Sequence, residues 1–245
     1  MSNQKEVIYN SFKLSNKEVV VRRTTNEEGK EFRVLVIGDL HQPFTLKEYL
    51  PFCKKIYKKY KCNKVVFIGD IIDNHASSYH ETNADGFSAG QELSLAISKI
   101  QEWYKAFPKA YVTIGNHDKI IMRKAQTSGL SQHWIKDFSE VLGTPGWEFV
   151  DSVEIDGVFY THGTCDSYTR AKRDLNSVVS GHLHTKAGIM WFVGRHYRIF
   201  GMNIGCGIDY KSYAMAYAID FPRPVIACGV VLNNGKLPIV EPMEL

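Results

Sequence analysis

The chain has 245 residues, 44% hydrophobic, 23% charged and 12% aromatic, with 19 Gly and 8 Pro; this ordinary globular composition excludes disorder, collagen and coiled coil. Thirty basic and 26 acidic residues leave a net charge of +4, too mild to announce nucleic-acid binding yet compatible with an anionic substrate. No apolar run approaches the ~20 residues of a membrane-spanning helix, the opening stretch to Lys17 is polar, and five Cys without a CxxC pair fit free thiols in a reducing, cytoplasmic setting.

In chain order, β-rich runs at Glu18 to Arg23 and Glu31 to Ile37 flank the turn signal Asn26-Glu27-Glu28-Gly29, which predicts an N-terminal hairpin extension over 1–31. Lys47 to Tyr60 carries Leu50, Cys53, Ile56, Tyr57 and Tyr60 at helical spacing under a lysine-rich face. Lys64 to Ile68 is a continuous apolar run of the kind covered on both faces of a sheet. A polar stretch from Asn74 to Gly90 precedes a second helical pattern, Glu92 to Phe107, which Pro108 stops; Tyr111 to Ile114 is the next strand. After Gly146 the texture turns to short alternating runs joined by hairpin dipeptides, among them Asp156-Gly157, and the chain closes with a hairpin over 225–245 around Asn233-Asn234-Gly235. Strand–helix alternation followed by a β-rich half predicts an α/β fold with two packed mixed sheets. No Pro/Gly/Ser-rich linker separates the halves, so the chain reads as one domain over 1–245.

The informative feature is a recurrence. Five apolar strands run directly into chemistry-bearing residues: Val34 to Gly38 into Asp39-Leu40-His41, Val65 to Gly69 into Asp70-Ile71-Ile72-Asp73, and Tyr111 to Gly115 into Asn116-His117-Asp118. Val158 to Thr161 likewise runs into His162, and Val178 to Gly181 into His182-Leu183-His184. Ligands of open α/β sheets bind beyond the carboxyl ends of strands, so Asp39, His41, Asp70, Asn116, His162, His182 and His184 are expected to converge. Seven N/O donors without thiolate suit Mn²⁺, Fe²⁺, Zn²⁺ or Mg²⁺. They are too many for one ion and suit two that share a bridging carboxylate, for which Asp70 is the candidate. Any one of these residues alone is an ordinary turn or cap residue; five repeats of the pattern are not.

On these five motifs, in this order over Gly38 to His184, the chain resembles the calcineurin-like metallophosphoesterase superfamily. The resemblance implies a four-layer α/β/β/α sandwich and two divalent ions, Mn²⁺ foremost, with Fe²⁺, Zn²⁺, Co²⁺ or Mg²⁺ as alternatives. It implies one metal on Asp39, His41, Asp70 and His184, and a second on Asp70, Asn116, His162 and His182. His117 is then the group that meets the substrate phosphate and assists the leaving group, Asp118 orients it, and Asp73 stands behind the metal ligands. Two departures, Asn74-His75 after Asp73 and Asp118 after His117, weigh against the Ser/Thr protein phosphatase branch.

The substrate is less legible. Asn74 to Gln91 is long for a connector, and such loops are commonly functional. Asn74 and His75 directly follow a metal motif, and His75 and His80 either extend the site or are solvated loop histidines. Tyr79 either stacks on a base or packs into its loop. Arg123, after the third motif, and Arg170, after the fourth, either meet a phosphate or sugar or lie on solvated helix faces. The stretches Asp73 to Gly90 and Phe200 to Asp209 resemble phage-encoded members of the superfamily, which implies a deoxynucleoside 5′-monophosphatase acting in the host cytoplasm on a small nucleotide. A nucleic-acid phosphodiesterase with DNA as substrate is the alternative, and a non-catalytic metal-binding scaffold a third; none involves a membrane.

Overall fold

The computed structural model describes residues 18–21, 31–79, 82–212 and 222–244. Two six-stranded mixed sheets carry the fold. The first has the order β12-β11-β2-β3-β4-β5, with β2 Val34–Ile37, β3 Lys64–Phe67, β4 Ala110–Thr113, β5 Trp147–Val150, β11 Ala227–Leu232 and β12 Leu237–Pro242. The second has the order β1-β6-β7-β8-β10-β9. Its strands are β1 Glu18–Val21, β6 Ser152–Ile155, β7 Val158–Thr161, β8 Ser177–Ser180, β9 Ala187–Val193 and β10 Arg198–Ile204.

Helices α1 (Tyr49–Lys59) and α2 (Ala89–Ala106) connect β2 to β3 and β3 to β4, and these three strands run parallel with β5. Their apolar stripes pack on one face of the first sheet: Tyr49, Cys53, Ile56, Ala96, Ile100 and Trp103 share a core with Leu35, Ile37, Val65 and Phe67. Alternate residues of the same strands face the other way. Val34, Val36, Val66 and Ile68 meet Val153, Ile155, Val158, Tyr160, Val179, Phe200 and Met202 in a second core between the sheets. This two-sided burial is why β2 and β3 read as unbroken apolar runs. Two short helices, α3 (Ile120–Thr127) and α4 (Phe138–Val141), lie between β4 and β5 in the chain, and helix α5 (Ser167–Asp174) lies against β8 and β10 on the outer side of the second sheet, completing the α/β/β/α order.

The Asp156-Gly157 turn joins antiparallel β6 and β7, and the Asn233-Asn234-Gly235 turn joins antiparallel β11 and β12. The N-terminal hairpin does not form between its two described strands. β1 pairs in parallel with β6, while β2 lies in the other sheet between β3 and β11. A strand buried on both faces takes a central place, and both edges of β2 are already occupied. The turn signal at 26–29 lies outside the described residues. Between β5 and β6 the chain crosses from one sheet to the other at Asp151.

Candidate metal centre

The parallel strands β2, β3 and β4, with β7 and β8 of the second sheet, end at one place, and the residues that follow them form a buried cluster. Asp39 and Asp70 are 0% and 1% exposed, His41 1% and His162 2%. The backbone turns that deliver them are sharp: His41, Asp70 and His182 all have φ between 46° and 68°. Two glycines make room for the carboxylates. A Cβ on Gly115 would overlap the Asp70 carboxylate, and one on Gly181 would overlap that of Asp39, which accounts for glycine at both motif positions.

The donors fall into overlapping groups. Asp39, His41 and His184 present ligand atoms within 4.8 Å of one another, and so do Asp70, His162 and His182. A third set, His41, Asp70 and His117, meets the same limit and ties the groups together. His184 Nε2 lies 3.1 Å from Asp39 Oδ2 and 3.1 Å from His41 Nε2. Asp70 Oδ2 is 3.7 Å from His41 Nε2 and 3.2 Å from His162 Nε2, between the two groups. Asn116 Oδ1 is 2.9 Å from both His162 Nε2 and His182 Nδ1.

The donor set fits divalent cations on three grounds. Asp39 Oδ1 is buried and has no hydrogen-bond partner among the described residues, a costly state for a carboxylate oxygen. The ion pairs of Asp39, Asp70 and Asp73 among the described residues are to histidines alone. Third, the tautomers point inward. His41 Nδ1 donates to Asp73 Oδ1 at 2.6 Å and His162 Nδ1 donates to the Ile68 carbonyl at 2.9 Å. In the neutral rings each Nε2 then aims a lone pair toward Asp70 Oδ2, 3.7 Å from His41 and 3.2 Å from His162, and a cation resolves that conflict. In the bare protein a proton serves the same need at His162. Burial opposes its charge, yet Asp70 and Asp39 outweigh burial and push its pKa up to about 10. His41 shifts down, through burial and the neighbouring His117 ring. Burial also works against ionised Asp70, but His162 outweighs it and holds that carboxyl well below its usual range.

His117 stands beside this cluster, its ring edge-on to that of His41 at 4.6 Å. Its backbone N–H donates to Asp70 Oδ1 at 2.8 Å, and its Nδ1 donates to the Asp73 carbonyl at 2.6 Å. Burial opposes a charged ring here as well, but Asp70 and Asp73 outweigh it and raise the His117 pKa. The expectation that Asp118 orients this ring needs correction. Asp118 accepts from the backbone N–H groups of Ile71, Ile72 and Gly115 at 2.8–3.2 Å and clamps two motif loops together; the ring itself is held by Asp73. Burial and Asp70 raise the Asp118 pKa to about 6.

The anticipated substrate residues scatter. Asn74 donates to the His117 carbonyl at 2.9 Å and so supports the site from behind. His75 is buried; its backbone N–H donates to Glu92 and its Nε2 accepts from Asn83 N–H at 3.2 Å. It therefore neither extends the cluster nor sits in solvent. Tyr79 is exposed, with the Arg123 guanidinium 4.9 Å and the Lys124 ammonium 5.3 Å from its ring centre. His80 lies outside the described residues. Arg170 lies over the Phe159 ring at 4.7 Å and pairs with Asp174 at 3.2 Å.

Three supports were not read from the sequence. Glu92 is a buried carboxylate that accepts from His75 and Ala76 N–H at 2.7 and 2.8 Å and anchors the connector. Cys206 bridges to Asp39, and Gly207 N–H donates to the Asp39 carbonyl at 2.8 Å, so the glycine-rich stretch after β10 buttresses the cluster. Lys119 pairs with Asp151 at 3.2 Å, and both line a cavity of about 270 Å³ that Asn116, His162 and Arg170 also border. The sole sequence signal for Lys119 is its place immediately after Asp118. A second cavity, about 370 Å³ and largely apolar, lies among Ile72, Ala76, Leu93, Ala96, Met122 and Leu142, and none of the cluster's imidazoles or its aspartates lines it.

A two-sheet α/β sandwich with paired His/Asp triads at its strand ends is the build of a metal-dependent hydrolase. The chain belongs to the calcineurin-like phosphoesterase family, whose sequence pattern matches residues 32–178. Among curated proteins, no sequence matches this chain. Solved structures similar to it include vacuolar protein sorting 29 from Cryptosporidium parvum, 16% identical, covering 88% of this chain and 99% of that one with a TM-score of 0.44. Yfce, a phosphoesterase from E. coli, is 12% identical over 85% of this chain and 98% of that one, TM-score 0.41. The Pseudomonas putida nuclease MPE is 14% identical over 86% and 87%, TM-score 0.38.

Proposed function

We propose that this phosphoesterase holds two divalent ions, Mn²⁺ foremost, and hydrolyses the monoester phosphate of a nucleotide, a (deoxy)nucleoside 5′-monophosphate being the favoured substrate. The observation that carries this reading is the position of Asp70, whose Oδ2 lies between the His41 and His162 imidazoles of the two triads. Asp39, His41, Asp70 and His184 would hold one ion, and Asp70, Asn116, His162 and His182 the other. When bound, such ions supply a water of lowered pKa and offset charge on the phosphoryl oxygens.

The chain's own groups do the rest. Asp73 fixes the protons on Nδ1 of both His41 and His117, through its carboxylate and its carbonyl. With Nδ1 committed, Nε2 of His117 is the atom that hands a proton to the leaving oxygen. Asp118 and Asn74 set the backbone on which His117 rides. The mild net charge supports a small substrate over a polymer, and five free cysteines, four of them buried, support a reducing cytoplasmic setting. No helix among the described residues is long and apolar enough to cross a membrane.

A second reading, a nucleic-acid phosphodiesterase, draws on exposed Tyr79 with Arg123 and Lys124 beside its ring, a combination that suits a strand of bases and phosphates. Protein reconstituted with Mn²⁺ and offered deoxynucleoside monophosphates, bis-p-nitrophenyl phosphate and linear or nicked DNA separates the two. Phosphate release from the monophosphates at the highest kcat/KM is expected. Faster diester cleavage or DNA shortening transfers the assignment to the second reading, and silence on all three with two ions bound makes the chain a scaffold.

A further inference from the structure

Resting on the nucleotide reading, we propose that the cavity walled by Asn116, His162, Lys119, Asp151, Phe159 and Arg170 is the subsite for the nucleoside of the substrate, with the Lys119–Asp151 pair reading the edge of its base. The cavity shares two walls, Asn116 and His162, with the cluster, so a group attached to a phosphate held there has a direct way in. Its volume of about 270 Å³ lies just below the usual range of small-ligand sites, which suits a small ring-bearing group and not a polymer.

The Lys119–Asp151 pair indicates what kind of group. Its two ends, 3.2 Å apart, offer a donor and an acceptor side by side on the cavity wall. A neutral heterocycle carrying both kinds of edge group is complementary to such a pair. The Arg170 guanidinium carbon lies 4.7 Å from the Phe159 ring centre, and both groups carry planar faces on which a base can stack. Lys119 stands at the head of α3 (Ile120–Thr127), three residues after Asn116, and Asp151 at the crossover between the sheets. Both are thus fixed by the backbone segments that deliver the cluster.

The test compares wild type with Lys119→Met and Asp151→Asn, all loaded with Mn²⁺, on deoxynucleoside monophosphates and on p-nitrophenyl phosphate, which lacks a nucleoside. The ratio of kcat/KM for the two substrates is expected to fall about tenfold in each variant, chiefly through the nucleotide KM, the size expected for losing one charge-assisted hydrogen bond. A ratio within twofold of wild type in both variants overturns the subsite. In parallel, metal-free protein is titrated with free deoxynucleosides by calorimetry. Binding that weakens about tenfold in the variants supports the proposal, and binding that is absent from wild type or equal in all three overturns it. If wild type hydrolyses neither ester, the catalytic reading fails, while the titration still decides the cavity.

Discussion

The strand-end cluster and the connector from Asn74 to Gln91 are built from the same polar residue types and spend them differently. In the cluster, buried carboxylates and buried or half-buried imidazoles bring their ligand atoms together, and Asp39 Oδ1 has no hydrogen-bond partner among the described residues. In the connector, polar groups satisfy each other: Asn74 holds the His117 carbonyl, Glu92 takes two backbone N–H groups, and His75 accepts from Asn83. Unsatisfied convergence is what a bound cation leaves behind in a protein, whereas satisfied convergence is how a loop is kept in shape.

The sharpest way to break that contrast is Asp70→Asn, which removes charge between the triads while keeping shape. Turnover is expected to fall by at least about 10³-fold, with elemental analysis showing ions lost; full metal content with full activity would refute the bridging position. His117→Ala comes next. It is expected to keep both ions and lose about 10²–10⁴-fold in kcat, and unchanged turnover in the metal-loaded variant would remove His117 from the chemistry. Stripping metal with a chelator should lower the thermal midpoint, because ligand binding at about 100 times Kd stabilises by about 2.7 kcal/mol; a calorimetric scan that ignores chelator would count against a built site. In the connector, Glu92→Gln should cost about 1–3 kcal/mol of stability in urea melts, as two buried N–H groups lose their charged acceptor, with metal content intact. Tyr79→Ala is the smallest change: within about 0.5 kcal/mol in stability and without effect on nucleotide KM, whereas a matching loss of DNA cleavage would favour the phosphodiesterase reading.

Much of this contrast was legible in the sequence, for a physical reason. Buried strands such as Val34–Ile37 must be apolar throughout, so an Asp or His at their ends stands out. Repetition at five strand ends exceeds what turns and caps require. What the sequence hid was non-local. The turn signal at 26–29 says nothing about which sheet β1 joins, and β1 pairs with β6 across more than a hundred residues. Asp118 looked like the partner of its neighbour His117, but its carboxylate reaches backbone amides near Ile71, and Asp73 holds the ring instead. The polar, eight-residue α3 and α5 carry too short an apolar stripe to announce themselves. Lys119 and Asp151 meet because the strands they follow, β4 and β5, are parallel neighbours in one sheet, a pairing the sequence does not announce.

Anomalous diffraction from crystals of active, Mn²⁺-loaded protein would locate the ions themselves. Two manganese peaks per chain about 3.5–4 Å apart are expected, with Asp70 between them, His41 and His184 on one side and His162, His182 and Asn116 on the other. A single peak, or none, in material that still turns over substrate would contradict the two-ion reading.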